Sequence, residues 1–294
     1  MVLTPILLAL AQSVLFGFSK IVYRRGMMNM PTSLAVLYTL LPAPILLGLA
    51  SVVWGEFRWL TLNWESVVLT ALSGLLNFNL GRLFLFESIR SLGAARASQL
   101  ITFQLITASL FGVVFLGEAM TVSIAGGSAV IFVAISFLIL SPPDLRLKPF
   151  GYNLRRGVTM GLIGSTVWGS SFLVSRWLVD RYPPVSASLL TYVGAIGIQA
   201  LMSLPDLRRL KRSALDRRGI GYLLGSGVVT TVALLSFMTA LQLAPIVIVA
   251  PFASLSPIFA ALSSYLFIQR LEFVGVRLIV ASLLVAVGSY IITI

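Results

Sequence analysis

Residues 141–156 read SPPDLRLKPFGYNLRR, the first sustained polar break in a chain of 294 residues that is otherwise almost continuously apolar. The break falls near the middle, and on either side of it lies a copy of one unit. Gly17 aligns with Gly169, Arg24 with Arg176 and Pro31 with Pro183, each pair 152 apart. Further along, Gly74 aligns with Gly225, Phe86 with Phe237, Leu92 with Leu243 and Glu118 with Gln269, each pair 151 apart. One deletion thus registers the two halves over nearly the whole length, which shared apolar composition does not explain. The pattern is that of a duplication and fusion: a first repeat over 1–140, a connector over 141–156 and a second repeat over 157–294.

The composition says where such a chain resides. It is 58% hydrophobic and 10% charged, with mean hydropathy +1.01, whereas soluble domains carry about 25% charged residues. The net charge of +12 could suit nucleic acid. The basic residues, however, punctuate apolar segments about 20 residues long, so anionic lipid headgroups are the partner and nucleic acid is not. With no Cys and no His, disulfides, thiol chemistry, imidazole relays and Cys/His metal sites are excluded. No metal or cofactor is implied.

A spanning helix needs about 20 mainly apolar residues. Candidates run near 2–22, 32–54, 67–88, 96–117 and 122–140, then near 157–179, 186–204, 220–242, 246–268 and 274–294. The first is too long, and too poor in N-terminal positive charge, for a cleaved signal peptide. Five spans per repeat is an odd number, so the second copy enters the membrane from the opposite side. The expected fold is an all-α integral membrane protein of ten transmembrane helices in two inverted five-helix repeats. Secondary transporters use this architecture, with the solute site near the midplane where the repeats meet.

The close of each repeat carries a family likeness. Residues 88–121 read SIRSLGAARASQLITFQLITASLFGVVFLGEAMT, and residues 239–272 read TALQLAPIVIVAPFASLSPIFAALSSYLFIQRLE. A Leu, a short small-residue turn, a helix with a midway Pro and then Gly-Glu form the pattern. Leu243-Ala244-Pro245, Pro257 and Gly117-Glu118 fit it, as do the repeat openings Leu15-Phe16-Gly17 and Val167-Trp168-Gly169. In these features the chain resembles the EamA-like proteins of the drug/metabolite transporter superfamily. The resemblance covers essentially the whole chain and implies a ten-helix carrier of small solutes in a prokaryotic inner membrane. Three positions depart from the pattern: Ile106 stands where Pro257 would predict a proline, Gln269 stands opposite Glu118, and the first helix lacks the embedded Glu of the small multidrug members. Its polar residues are Gln12, Ser13 and Lys20 instead.

Ionisable and amide groups inside spans mark solute pathways because burying them in hydrocarbon is costly. The third span carries Asn77, Asn79 and Arg82, with Asn79 aligned to Thr230; snorkelling for Arg82 and interhelical hydrogen bonding for Asn77 are the structural alternatives. In the fourth span Arg96, Gln99, Phe103 and Thr107 fall on a single narrow face, a sector about 80° wide at 100° per residue, which suits either a cavity wall or a packed interface. Trp168 caps the equivalent space from the sixth span or serves as packing. The candidate solute contacts are Gln12, Asn77, Asn79, Arg82, Gln99, Phe103, Trp168 and Thr230. Pro251 and Pro257 are expected to break the ninth span. Glu87 is expected to pair with Arg90 at i+3, Glu118 to anchor the turn after the fourth span, and Gly157/Gly161 and Gly221/Gly225 to provide close helix contacts.

The surplus of Arg and Lys over acid within the spans favours a solute bearing a carboxylate or phosphate, amino acids included. Coupling to a proton or other ion is left open, as is oligomeric state. A flippase for a lipid-linked anionic headgroup is the second transport reading, and an intramembrane lipid-modifying enzyme is the non-transport one. No acid–base pair is visible for the enzyme beyond a Ser13/Lys20 dyad, and no GxxxxGK[ST] loop supports ATP-driven transport. Positive charge clusters in the odd-numbered connections. The positive-inside rule therefore places them in the cytoplasm and both termini outside, whereas the family resemblance implies cytoplasmic termini.

Overall fold

The computed structural model describes residues 3–56, 63–116, 121–140, 153–209, 217–244, 249, 252–253, 255–267 and 276–291. The connector residues 141–152 lie outside the described residues, as do Gly117-Glu118, Pro245, Pro251 and Gln269. Among the described residues there is no strand. Ten helical segments follow in order: α1 (Leu3–Gly26), α2 (Thr32–Val53), α3 (Trp64–Leu92), α4 (residues 94–116, in two pieces), α5 (Val122–Leu140), α6 (Leu154–Arg181), α7 (Pro184–Arg209), α8 (Arg217–Leu243), α9 (Ser256–Phe267) and α10 (Val276–Ile291). Six of them, α1 to α3 and α6 to α8, are long and apolar enough to cross a membrane. Shorter apolar stretches lie in α5, α9 and α10.

Several helices run about a turn past the apolar stretch that predicts them, because hydrogen bonding rather than hydropathy decides where they stop. Asn153 begins α6 three residues early by accepting from Arg156 N at 3.0 Å, and Asn63 begins α4's predecessor α3 by accepting from Ser66 N at 2.8 Å. Side-chain oxygens there satisfy the otherwise unpaired N–H groups of a first turn. At the other ends, Arg24 donates to Ile89 O and Arg90 O, 3.2 Å each, at the close of α3. Its repeat mate Arg176 donates to Leu241 O, 3.3 Å, at the close of α8. The aligned arginines are therefore equivalent helix caps, one in each repeat, placing cations on the negative ends of those helices.

The directions of packed helices establish that the halves are inverted. α1 lies on α8 with Gly26 against Gly219 and Leu223, so the two run antiparallel. The equivalent pair, α6 on α3, sets Gly157 against Ser91 and Leu92, also antiparallel. α3 and α7 run parallel, joined by Ser66 to Tyr182, Ser73 to Thr191 and Asn79 to Gln199. The α5–α10 pair runs antiparallel, with Gly288 against Ile131 and Gly126 near Ile291. Two repeats pointing the same way would reverse every one of these directions. Each inter-repeat contact also has its exchange partner: α1–α8 with α6–α3, α1–α9 with α6–α4, α2–α8 with α7–α3. That is the signature of a pseudo-twofold axis.

Small residues make the crossings possible, since helices in lipid associate through close packing rather than hydrophobic exclusion. At Gly17 a Cβ would lie 2.6 Å from Phe259 Cβ and 2.8 Å from Ala260 N; at Gly169 it would overlap Thr107 and lie 2.8 Å from Gln104 O. These aligned glycines are thus the two equivalent points where the first helix of each repeat meets the fourth helix of the other. Gly157 and Gly161 also make close contacts, as expected. Gly221 and Gly225 do not: nothing approaches within 4 Å, and α8 uses Gly219 and Gly227 instead. The spacing was right but the face was wrong.

The burial pattern is that of a bundle in lipid. Ser13, Ser19, Ser73, Ser88, Ser165, Ser171 and Thr191 are buried, while Leu3, Leu7, Ile45, Leu49, Leu201, Leu266 and Leu283 are exposed. Overpacking a tight site costs about 1–3 kcal/mol or more. Gly17→Val and Gly169→Val are therefore expected to lower the melting temperature of the purified protein, with Gly221→Val leaving it unchanged. Equal melting temperatures for all three would remove the crossings as determinants of the fold.

Candidate functional site

Two helices are interrupted where the repeats meet. In α4 the pieces Ala94–Ile101 and Gln104–Leu116 are joined by shortened i→i+3 bonds: Thr102 N to Gln99 O, Phe103 N to Leu100 O and Leu105 N to Thr102 O. The equivalent stretch before and into α9 shows the same device, with Leu255 N bonded to Phe252 O and Ile258 N to Leu255 O. There Pro257 occupies the opening turn of α9, a position that tolerates proline. In α4 the break forms without a proline. Such tightened turns inside a membrane helix occur where backbone lines a cavity or is buried in protein.

A third irregularity is a π-helical stretch, Leu75–Leu80, inside α3. Gly81 N bonds back to Leu76 O, and a Cβ at Gly81 would sit 2.7 Å from that oxygen and 3.3 Å from Trp168 Cδ1. The glycine thus admits both the wide turn and the indole. Asn77 and Asn79 leave this stretch in different directions. Asn77 Nδ2 donates to Ser73 Oγ (3.3 Å) and Ser175 Oγ (3.2 Å), and its Oδ1 accepts from Ser171 at 3.0 Å. Asn79 Nδ2 donates to Ala195 O and Gln199 Oε1, 2.9 Å each, holding α3 to α7.

Between the interruptions lies a cavity. α1 contributes Gln12, Phe16 and Lys20; α3 Asn77; α4 Ile101 and Gln104; α6 Trp168 and Phe172; α8 Leu234 and Phe237; and the approach to α9 Ala253 and Ser256. Its space for the centres of water molecules is about 60 Å³, and a buried water needs about 10–15 Å³ by that measure, so several fit. Phe16 and Trp168 are equivalent under the 152-residue offset and meet edge-on at 6.0 Å between centroids. Lys20 and Phe172 are equivalent too, which places the pseudo-axis through the cavity.

Among the described residues lining the cavity, Lys20 is the one that is charged, and none is acidic. It is fully buried, and Nζ donates to Ser256 Oγ at 3.2 Å across the α1–α9 contact. Gln12 Oε1 is buried with no hydrogen-bond partner. The polar groups thus gather on the α1/α9 side and the Gln104 corner, facing aromatic walls from α6 and α8.

Of the eight residues singled out in the sequence, Gln12, Asn77 and Trp168 line this cavity. The other five are placed elsewhere. Arg82 donates to Thr39 Oγ1 at 2.8 Å and lies 4.4 Å from the centroid of Phe78 and 5.8 Å from that of Tyr23. Gln99 is bonded to Ser282 of α10. Phe103 packs with Leu92, Leu100 and Ile135. Thr230 donates to Ser226 O and Gly227 O within its own helix, and Asn79 serves the α3–α7 contact. The single face drawn through Arg96, Gln99, Phe103 and Thr107 assumes an unbroken α4, and the interruption at Thr102-Phe103 turns its two halves differently.

Lys20, Gln104 and Ser256 are the contacts that sequence reasoning passed over. A signal was present: Gln12, Phe16 and Lys20 recur at i, i+4 and i+8, one stripe of one helix. Lys20 is noted in the sequence as a polar residue of the first span, but not among the candidate solute contacts. Glu87 also differs from expectation. It pairs with Arg156 of α6 at 2.7 Å and accepts from Thr32, while Arg90 donates to Met27 O at 3.1 Å and to Met30 O.

Two inverted repeats of five helical segments around a polar, aromatic-walled cavity at their axis define an integral, multi-pass membrane transporter. The chain belongs to the EamA-like transporter family, whose model matches residues 3–140 and again 155–294. A protein of Archaeoglobus fulgidus described as an uncharacterized transporter is 23% identical over 292 residues, covering 95% of this chain and 96% of its own. A crystal structure of a protein at 15% identity superposes with TM-score 0.69 over 98% of this chain and 95% of that one, a likeness of fold.

Because the chain contains no cysteine, single cysteines report access cleanly. Cysteine at Gln104 or Ser256 is expected to react with a small water-soluble thiol reagent, and cysteine at Gln99 to resist it. Equal labelling at Gln99 and Gln104 would place water where the structure has a packed α4–α10 contact.

Proposed function

We propose that the protein is a secondary active transporter carrying a small metabolite with a carboxylate or phosphate group, amino acids among the class, across a prokaryotic inner membrane by alternating access. The working unit is both repeats together, 1–140 and 157–294, joined by 141–156. Gln12, Asn77 and Trp168 contact the solute directly, with Lys20 as its anion partner. Asn79, Arg82, Gln99, Phe103 and Thr230 hold the helices that carry those contacts.

The observation that carries this reading is the environment of Lys20. Taking an ammonium from water into a protein interior costs several kcal/mol even after relaxation. One hydrogen bond to a neutral hydroxyl returns about 1 kcal/mol. Cavity water, an anion or loss of the ammonium proton makes up the difference, and a site that alternates between wet and occupied is what a carrier needs. The inverted repeats supply the second requirement: two packings of similar energy, each exchanging the roles of equivalent helices. An enzymatic reading gains nothing from the cavity, whose lining offers no acid–base pair.

Removing one partner of a buried charge pair costs about 2–5 kcal/mol in binding, which corresponds to about 30-fold or more. In proteoliposomes, Lys20→Met is therefore expected to reduce counterflow of anionic metabolites by at least about that factor, with the protein still folded and inserted. Undiminished counterflow by this variant, or chemical conversion of the solute by the wild-type protein, would overturn the proposal.

A further inference from the structure

The charge and surface of the cavity narrow the solute class further than its anionic character does, and this step rests on the transporter reading above. We infer that the solute is a monocarboxylate with a flat aromatic or otherwise apolar body and no positive charge of its own.

Charge balance is the first argument. The described lining carries a single cation, Lys20, and no acid, so a monoanion brings the occupied site to neutrality. A dianionic phosphate ester would leave a negative charge among aromatic faces. A zwitterion would leave a positive one, with an ammonium that finds no carboxylate among the described lining residues. Unpaired charge inside a membrane protein is strongly disfavoured, so neutral occupancy wins. The interrupted helices do not upset this balance. At the break in α4 the carboxyl end of Ala94–Ile101 lies beside the amino end of Gln104–Leu116, and their opposite partial charges largely offset one another.

Shape is the second argument. Phe16, Trp168, Phe172 and Phe237 supply aromatic wall, with Phe16 and Trp168 edge-on at 6.0 Å and Phe172 5.7 Å from Phe237. Such faces select flat apolar bodies by offset or edge contact. The pseudo-symmetry fixes orientation as well. The repeat mate of Lys20 on α1 is Phe172 on α6, so the carboxylate end goes toward α1 and Ser256 and the body toward α6 and α8. Asn77 has both ends of its amide engaged by Ser73, Ser171 and Ser175, which leaves Gln12, with its unpartnered Oε1, and Gln104 as the amides available to a hydroxyl or amide substituent.

The test is equilibrium binding to the purified full-length protein in nanodiscs, with four probes that vary the charge and the apolar body. 3-Phenylpropionate is the matched monocarboxylate, phenylalanine adds an ammonium, phenyl phosphate is a dianion, and lactate lacks the body. The expected result is binding of 3-phenylpropionate at least about tenfold tighter than each of the others, a difference of about 1.4 kcal/mol. Lys20→Met is expected to reverse one preference, binding neutral 3-phenylpropionamide at least as tightly as the acid, a gain that a misfolded protein cannot show. Lys20-dependent binding that favours phenylalanine, phenyl phosphate or lactate would overturn the substrate class while leaving an anion carrier standing. Binding of none of the four would overturn both.

Discussion

Where α1 crosses α9, and again where α6 crosses α4, the backbones approach so closely that no side chain fits between them. Gly17 and Gly169 hold those two points. The remainder of the architecture depends on this constraint. With no water in the hydrocarbon to expel, a helix contact in lipid must be won by surface fit. The glycines let the first helix of one repeat press against the interrupted helix of the other, bringing Gln104 and Ser256 to the cavity wall. Lys20 reaches Ser256 only because Gly17, less than one turn away, has no side chain. Substituting either glycine would separate the walls of the site before it affected any residue within it.

Duplication alone would give a symmetric cavity, and the chain departs from that symmetry at the residues nearest the axis. Phe16 has become Trp168 in the second copy, and Lys20 has become Phe172. The ends differ as well. Glu87 bonds Arg156 and Thr32 at the close of α3, whereas the equivalent positions at the close of α8 are Met238, Thr4 and Pro184. Each end of the bundle is tied across the repeats by its own ion pair, Glu87–Arg156 at one and Glu65–Arg181 at the other. Exposed pairs of this kind contribute at most about 1 kcal/mol each. The repeats thus share a fold while the charges placed on it differ.

Much of the fold was legible because it is written in long-range regularities. The offset of 151–152 residues, the apolar lengths and the odd span count lead directly to inverted halves, and the aligned Gly and Arg pairs mark its crossings and caps. The site was less legible because it depends on local departures from ideal helices. Arg96, Gln99, Phe103 and Thr107 share a face only at a constant turn angle, and the shortened bonds at Thr102 and Phe103 redirect that face with no proline to announce it. Asn77 and Asn79 diverge because of the π-helical stretch, which sequence spacing does not specify. Gly221 and Gly225 have the right spacing but face away from any neighbour, a question of helix rotation that only packing answers.

The contrast between two buried cations shows why hydropathy alone misplaces a binding site. Arg82 and Lys20 are both essentially inaccessible to solvent, and each would be expensive to bury unaided. A guanidinium is planar and weakly hydrated, so aromatic faces and a single hydroxyl can surround it. Phe78, Tyr23 and Thr39 enclose Arg82, with Phe78 stacked in turn on Tyr192 at 4.3 Å, although Nη2 has no hydrogen-bond partner among the described residues. An ammonium is a compact, strongly hydrated charge that needs several acceptors, and Lys20 has one hydroxyl and an open cavity. Arg82 is enclosed where helices meet, whereas Lys20 faces the cavity. That open side, rather than the mere presence of a charge in a span, is what favours Lys20 over Arg82 as the proposed solute contact.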